Sequence, residues 1–303
     1  MAKHGKLQTS LEYAAARIVI SVVGALPVRQ SIRLGQLFGR VAYRLAGELR
    51  RTGEINLQLA FPEKTPEDRR ELLKGCFESL GRVLGLFSHF GDPIESIMSV
   101  VEPIAVERLQ AAKKGRGVIF CTAHLGAWEL TSYAVAHLGY PMSVIVRPID
   151  NPKIEQLVDR YRRQTGNTTL DKFSAARSML KVLRKGEFLG LLFDLNALDD
   201  EAIFVDFFGV PASTNFLTAK LALRTDVPII AVFSPWDKTR KKFLLDVTEP
   251  IEVEHSGDEE VDVRKLTTRL TLLVEEQIKR HPDQWLWIHK RWKTRPPGEP
   301  SIY

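Results

Sequence analysis

The sequence predicts an α/β protein with a mixed, largely parallel central sheet flanked by helices, preceded by N-terminal membrane-associating helices. Three observations carry this. From Gly117 onward short apolar runs (GVIFCT, MSVIVR, FLGLLFD, AIFVDFF, VPIIAVF and KFLLDV) alternate with segments of helical periodicity, and strands alternating with helices build a largely parallel or mixed sheet covered by helices. The stretches from Ala14 to Phe87 read as helices. Close to the N terminus, leucines and aromatics share one stretch with arginines, the composition of a helix lying on anionic lipid. The chain has 303 residues, enough for one large domain or one with an appended subdomain at about 150 residues per domain. We divide it into N-terminal helices over residues 1–60 and an α/β domain over 61–303. No clean linker separates them, so the helices are expected to pack on or beside the α/β body.

Taken in order, AAARIVISVVGALPV contains Arg17 and is shorter than the ~20 residues of a spanning helix. No convincing cleavage signal follows in PVRQSIR, so a cleavable leader is not expected. Ala14 to Val28 reads as a buried or interfacial helix. In SIRLGQLFGRVAYRLAGELRR, Arg33, Arg40, Arg44, Arg50 and Arg51 recur at roughly helical spacing, suiting either a lipid-facing helix or a solvated basic face. The next helix opens with Thr65 as cap, Pro66 in the first turn, and Glu67 and Asp68 complementing the positive helix end. Leu72, Leu73, Phe77, Leu80, Leu84 and Phe87 then recur at steps of three and four, an amphipathic pattern. Among the later helices, Asn151 before Pro152, Ser174, and Ser213 or Thr214 are expected caps, and Gly139, Gly166 and Gly186 expected ends. A last helix runs from about Val261 to Arg280. In the tail HPDQWLWIHKRWKTRPPGE, Trp285, Trp287 and Trp292 either anchor at a membrane interface or pack helix ends onto the sheet with Lys290 and Arg291 outside.

Composition narrows the function classes. Hydrophobic residues make up 44% and charged residues 26%, and the formal charge is +6; a folded protein drawn to anionic surfaces is expected. Cys76 and Cys121 form no C-x-x-C pair, so neither a disulfide framework nor a cysteine zinc site is indicated, and a reducing compartment fits. HLGAWEL is not H-E-x-x-H, and His4, His89, His137, His255, His281 and His289 form no ligand-spaced cluster, so no metal is expected. KKGRGVIF lacks the phosphate-loop pattern. A nucleic-acid or membrane-binding module without catalysis accounts for the charge but leaves the next motif unexplained.

That motif is CTAHLGAWEL. GVIFCT is a buried strand by composition and WELTSYAVAHLG a helix, which puts His124 in the turn at a strand's carboxyl end, where α/β sheets bind ligands. On one regular helix, a five-residue step would turn His124 and Glu129 ~140° apart. Gly126 relaxes that constraint, so a Glu129 carboxylate in the first helical turn can reach back to the imidazole. Such a carboxylate fixes the tautomer and supports the charge as the other ring nitrogen takes a proton. Unpaired N–H groups of the helix start can steady an oxyanion. Cys121 and Thr122 are not spaced to act as a nucleophile, which is expected to be a substrate hydroxyl. The alternative is a helix-capping His124 with Glu129 as a first-turn acid.

AHLGAWEL resembles the H-x-x-x-x-[DE] signature of glycerolipid and lipid A acyltransferases. VIVRPIDNPKIEQLVDRYR is similar to the second block of the bacterial lipid A acyltransferase family, LLFD and IFVDFFGVPASTNFLTAKLALRTDVPIIAVF to its third and fourth blocks, and PDQWLWIHKRWKTRP to its terminal signature. The resemblance spans nearly the whole chain from Leu11. It implies an O-acyltransferase at the cytoplasmic face of the bacterial inner membrane, with His124 as general base and Glu129 orienting it. The donor would be acyl carrier protein or acyl-CoA, and the acceptor a lipid A precursor or related glycolipid. It further implies an anionic membrane surface as partner, with no nucleic acid, no metal and no redox cofactor. Arg147 matches the second block's arginine and suits a phosphate or glycan. Asp194 matches an acidic residue of the third, adding a second carboxylate near His124, holding a ligand hydroxyl, or capping a turn. Phe207 and Phe208 are candidates for an acyl groove or for core; Thr214, Lys220 and Arg224 for phosphate contact or helix surface. Two positions depart from the family pattern: Ala123 stands where many members carry asparagine, and Leu195 where they carry glutamine. These put acceptor choice in question more than the reaction. A different lipid or amphipathic alcohol as acceptor, or a non-catalytic basic membrane-surface protein, are the alternatives.

Overall fold

In a computed structural model of the protein, residues 5–172, 176–198 and 201–303 are described; Ser174, read as a helix cap, lies outside them. Three helices lead: α1 Lys6–Gly24, α2 Val28–Leu45 and α3 Gly47–Ala60. The helix expected over Ala14–Val28 therefore starts and stops earlier. Pro27 forces the stop, because its ring disfavours helical geometry in the residue before it, and it then occupies the N-cap position of α2. Ser31 secures this corner: its hydroxyl donates to the Val23 carbonyl at 2.7 Å and lies 2.7 Å from His89 Nε2. Among the described residues, no helix is long and apolar enough to cross a membrane.

Helix α4, Pro66–Phe87, begins in a capping box: Asp68 N–H donates to Thr65 Oγ1 at 3.1 Å, and Thr65 N–H to the Asp68 carboxylate at 3.4 Å, satisfying two otherwise unpaired donors. It packs on α2 through Gly35 and Gly39 against Gly81 and Gly85. A methyl at Gly35 would fall on the Gly81 carbonyl and one at Gly85 on the Ser31 carbonyl, so the backbones themselves touch. Val28 and Ile32 of α2 thereby enter the core with Leu86 and Phe90, while Leu37, Phe38, Val41 and Leu45 stay exposed.

After the short α5, Ile94–Met98, the chain alternates as β1 Val101–Ile104, α6 Glu107–Lys113, β2 Val118–Thr122, α7 Trp128–His137, β3 Met142–Val146, α8 Pro152–Arg163, β4 Thr168–Asp171, α9 Ala176–Arg184 and β5 Phe188–Leu192. Then follow β6 Ala202–Phe207, β7 Val210–Asn215, α10 Leu217–Thr225, β8 Ile229–Phe233, β9 Trp236–Asp237, β10 Lys242–Val247 and α11 Glu259–Arg280. The central sheet runs β1-β10-β8-β2-β5-β3-β4, with β9 paired to β10. β8, β2, β5, β3 and β4 are mutually parallel, whereas β10 runs antiparallel to β8. A mixed, mostly parallel sheet flanked by helices is what the alternation of patterns predicted. Every residue of β2 is buried, as expected of a strand covered on both faces. Ile119 and Cys121 face α11 and the C-terminal tryptophans, and Val118 and Phe120 face α7.

AIFVDFF is a strand but not of this sheet. It forms β6, paired antiparallel with β7 in a separate hairpin. Phe208 (φ 53°) and Gly209 (φ 73°) both take left-handed geometry, the requirement of a two-residue hairpin turn, which returns the chain on itself before it can cross the sheet. β7 corrects a second expectation: Ser213 and Thr214 lie in a strand, and α10 starts at Leu217, whose N–H donates to Asn215 Oδ1 at 2.7 Å.

Candidate active site

Strand β2 delivers His124 two residues past its end. The turn is braced from the far end of the chain: Leu286 N–H donates to the His124 carbonyl and Gly126 N–H to the Gln284 carbonyl, both at 3.0 Å. Gly126 has φ 59°, and a Cβ there would run into the Ser234 carbonyl, so this turn is closed to other residues for two independent reasons. Ala123 points the opposite way, fully buried with Cys121 and Leu125.

The carboxylate beside His124 is Asp194. Its Oδ1 lies 2.9 Å from His124 Nδ1, and its Oδ2 accepts from the His124 backbone N–H at 2.8 Å and the Trp285 indole N–H at 2.7 Å. The side chain is completely buried. Burial opposes ionisation, but the His124 charge, the His124 ring hydrogen bond and the Trp285 and backbone donors outweigh it and hold Asp194 below the usual carboxylate range. Pair register explains the meeting: Thr122 of β2 stands level with Leu192 of β5, so His124 and Asp194, each two residues further on, stand level beyond the strand ends.

An ionised carboxylate only accepts hydrogen bonds, so the proton on His124 sits on Nδ1 and Nε2 offers a lone pair. With 16% of its side chain exposed, the imidazole has a nitrogen able to accept a proton. The Trp128 ring flanks it at 5.1 Å.

Glu129 does not reach back. It sits in the first turn of α7, and Arg162 of α8 takes its carboxylate in a two-pronged ion pair, Nη2 to Oε1 at 2.6 Å and Nε to Oε2 at 3.0 Å. Burial of Arg162 disfavours its charge, but the Glu129 bonds and field more than compensate and raise its pKa. The orienting position expected for Glu129 is thus filled by Asp194. Cys121 is no nucleophile: it is fully buried, and burial pushes its thiol far up.

A profile of the family described as bacterial lipid A biosynthesis acyltransferase matches residues 3–294. The chain belongs to this family. It is 29% identical over 294 residues to the lipid A biosynthesis lauroyltransferase of Escherichia coli K12, covering 94% of this chain and 92% of that one. It is 27% identical to the palmitoleoyltransferase of the same organism, covering 89% and 87%, and 24% identical to its myristoyltransferase, covering 88% and 81%. The chain is an acyltransferase.

In this lipid A acyltransferase family member the other residues singled out from sequence scatter. Arg147 follows β3 at the same sheet edge, 65% exposed, its nearest ion partner Asp150 at 3.8 Å. Phe207 is buried against Trp285 and Trp292. Phe208 caps the hairpin against Phe61 and Trp287, its N–H donating to Glu275 at 2.7 Å; Phe207 is core, and Phe208 is half-buried against it. Thr214, in β7 rather than a helix, is buried and accepts from Arg291 at 2.6 Å. Lys220 and Arg224 are exposed on α10, and Arg224 lies in the last turn of the helix preceding β8, at the edge of the sheet away from His124. Trp285, Trp287 and Trp292 are fully buried, which settles their role as packing. Arg291 is inside as well, bonded to the Ser213 carbonyl at 2.7 Å and lying over the Phe207 ring; burial lowers its pKa to about 10. Trp285 and Arg162 are the residues around His124 that sequence reading missed. Asp194, read from sequence as a possible second carboxylate near His124, stands beside it, and in the place expected for Glu129.

Proposed function

We propose that the protein transfers a fatty acyl chain from an acyl carrier protein or acyl-CoA thioester to a hydroxyl of a lipid A precursor or related glycolipid, with His124 as general base and Asp194 as its orienting carboxylate. The observation that carries this is the Asp194–His124 Nδ1 contact, which leaves Nε2 free. The acceptor hydroxyl attacks the thioester carbon while Nε2 takes its proton. Collapse of the tetrahedral intermediate breaks the C–S bond, and the thiolate leaves with the proton from His124. Asp194 supports the imidazolium between these steps.

Residues 1–60 are read as the membrane-facing part and 61–303 as the acyltransferase domain, working at the cytoplasmic face of the bacterial inner membrane. Exposed Leu7, Leu11, Ile18 and Val22 on α1, and Leu37, Phe38, Val41 and Leu45 on α2, support this, with exposed Arg33, Arg44 and Arg51 suited to anionic headgroups. Arg147, exposed at the catalytic edge, is assigned to an anionic group of the acceptor or donor. Purified protein is expected to acylate a lipid A precursor from a lauroyl thioester, and His124→Ala to lose this at least about 10³-fold. Full activity in His124→Ala would overturn the reading.

A further inference from the structure

Helix α1 has two opposed faces. Thr9, Glu12, Ala16, Ile20 and Val23 turn inward, while Leu7, Leu11, Ile18 and Val22 are exposed, the spacing of a helix laid on a surface. At its C-terminal end Gly24 meets the Ser88 carbonyl so closely that a Cβ would fall 2.9 Å from that oxygen. Its N-terminal half is held by the first turn of α8. Asn151 Nδ2 donates to the Thr9 carbonyl and to Glu12 Oε2, both at 2.9 Å, and Lys153 Nζ donates to Ser10 Oγ at 3.0 Å.

Asn151 is buried, and its other polar atom is used as well. Oδ1 accepts from the Lys153 and Ile154 N–H groups at 3.1 and 3.3 Å as the N-cap of α8. A cap needs only the oxygen, which aspartate or serine supplies equally. The amide protons serve α1.

This clasp stands level with the catalytic turn. Val144 of β3 pairs with Gly190 of β5, and Gly190 with Phe120 of β2. Val146 and Thr122 therefore end their strands together, two strand spacings or roughly 10 Å apart. The segment from Arg147 to Asn151 leaves β3 beside the His124 turn, and Ile149 N–H stiffens it by donating to Glu155 at 2.7 Å. Tied to that segment, α1 brings exposed Leu7 and Leu11 to the edge that bears His124 and Arg147.

We infer that Asn151 is a positioning residue for the acceptor. It holds α1 at the catalytic edge, so that an amphipathic acceptor is received between the outward leucines of α1, which take its acyl chains, and Arg147, which takes its anionic group. This rests on the acyl-transfer reading above. In a chain whose α1 swings free, His124 and Asp194 keep their geometry but the acceptor meets half a site. Apparent affinity then falls in proportion to the docked fraction, and the rate at saturation is kept.

The test uses the full chain, lauroyl acyl carrier protein and a lipid A precursor in mixed micelles, at about pH 8, where carboxylates are ionised. Asn151→Asp keeps the shape and the capping oxygen but sets a carboxylate against the Thr9 carbonyl and the Glu12 carboxylate. It is expected to raise the acceptor KM at least about tenfold, with kcat and the donor KM within about twofold. Hydrogen exchange should quicken at the α1 amides while α8 keeps its protection. Glu12→Lys alone also breaks the clasp, leaves the cap intact and should raise the acceptor KM; it decides the matter if Asn151→Asp does not fold. The two changes together place an ammonium against the new carboxylate and are expected to recover most of the lost affinity. An acceptor KM within about twofold of wild type in Asn151→Asp overturns the inference, as does a fall in kcat that the double variant fails to reverse. Absence of His124-dependent transfer by the wild type overturns the acyl-transfer reading itself, whereas an unchanged acceptor KM beside an active wild type overturns this inference alone.

Discussion

Asp194→Asn isolates the acid that orients His124. Oδ2 of Asp194 accepts from two N–H groups, those of His124 and Trp285. Asparagine has a single carbonyl oxygen, and keeping both of those bonds requires it to occupy the Oδ2 position. The amide NH₂ then faces His124 Nδ1, which must become an acceptor. The ring proton moves to Nε2, and the lone pair that receives the hydroxyl proton is gone. The same exchange in a serine protease triad lowers kcat about 10⁴-fold, and a loss of 10³- to 10⁴-fold is expected here, about 4–5 kcal/mol of barrier. Acyl transfer rates and ¹⁵N chemical shifts of the His124 ring would be read together, the second reporting the tautomer directly. Acid unfolding supplies a further readout. The folded-state pKa of Asp194 is depressed, so its contribution to stability is present above the unfolded value of ~3.9 and is lost as pH falls through the folded one. The asparagine variant should lack that part of the acid sensitivity. Retention of activity within tenfold in Asp194→Asn, with Nε2 still unprotonated, would refute the reasoning.

Gly126→Ala combines a left-handed backbone with a Cβ on the Ser234 carbonyl; a loss of at least ~1–3 kcal/mol in urea denaturation is expected, with activity falling as the turn shifts. Replacing Phe38 and Val41 together by serine should weaken binding to anionic vesicles several-fold, while thermal stability stays within the small range of surface changes, ~0.5 kcal/mol per site. The native protein should resist thiol reagents at neutral pH, since Cys76 and Cys121 are both buried and burial raises the Cys76 pKa to about 12; labelling should track unfolding in denaturant.

The sheet was legible because each strand carries its apolar pattern locally, and His124 because a strand end, a glycine and a helix start fall within ten residues. The partner of His124 was not legible by the same means. Nearness in sequence favoured Glu129, but the direction of its side chain is decided by Arg162, 33 positions away. Asp194 meets His124 only through the β2–β5 register, a relation between segments 70 residues apart. The tryptophan-rich tail was ambiguous for another reason: aromatic and basic residues together suit a lipid interface or a core, and composition does not record that Arg291 finds acceptors on β7 inside. β6 and β7 were misplaced because their turn depends on a left-handed Phe208, a geometry its residue type does not advertise.

The bracing of the His124 turn by residues 284–286 has a consequence for biosynthesis. The histidine, the aspartate and the parallel strands between them are all translated well before Trp285, yet the aspartate's third hydrogen bond and the backing of the histidine carbonyl come only with that segment. The alignment of the histidine is therefore a property of two distant parts of the sequence, the strand ends that carry His124 and Asp194 and the segment 284–286 that clasps them.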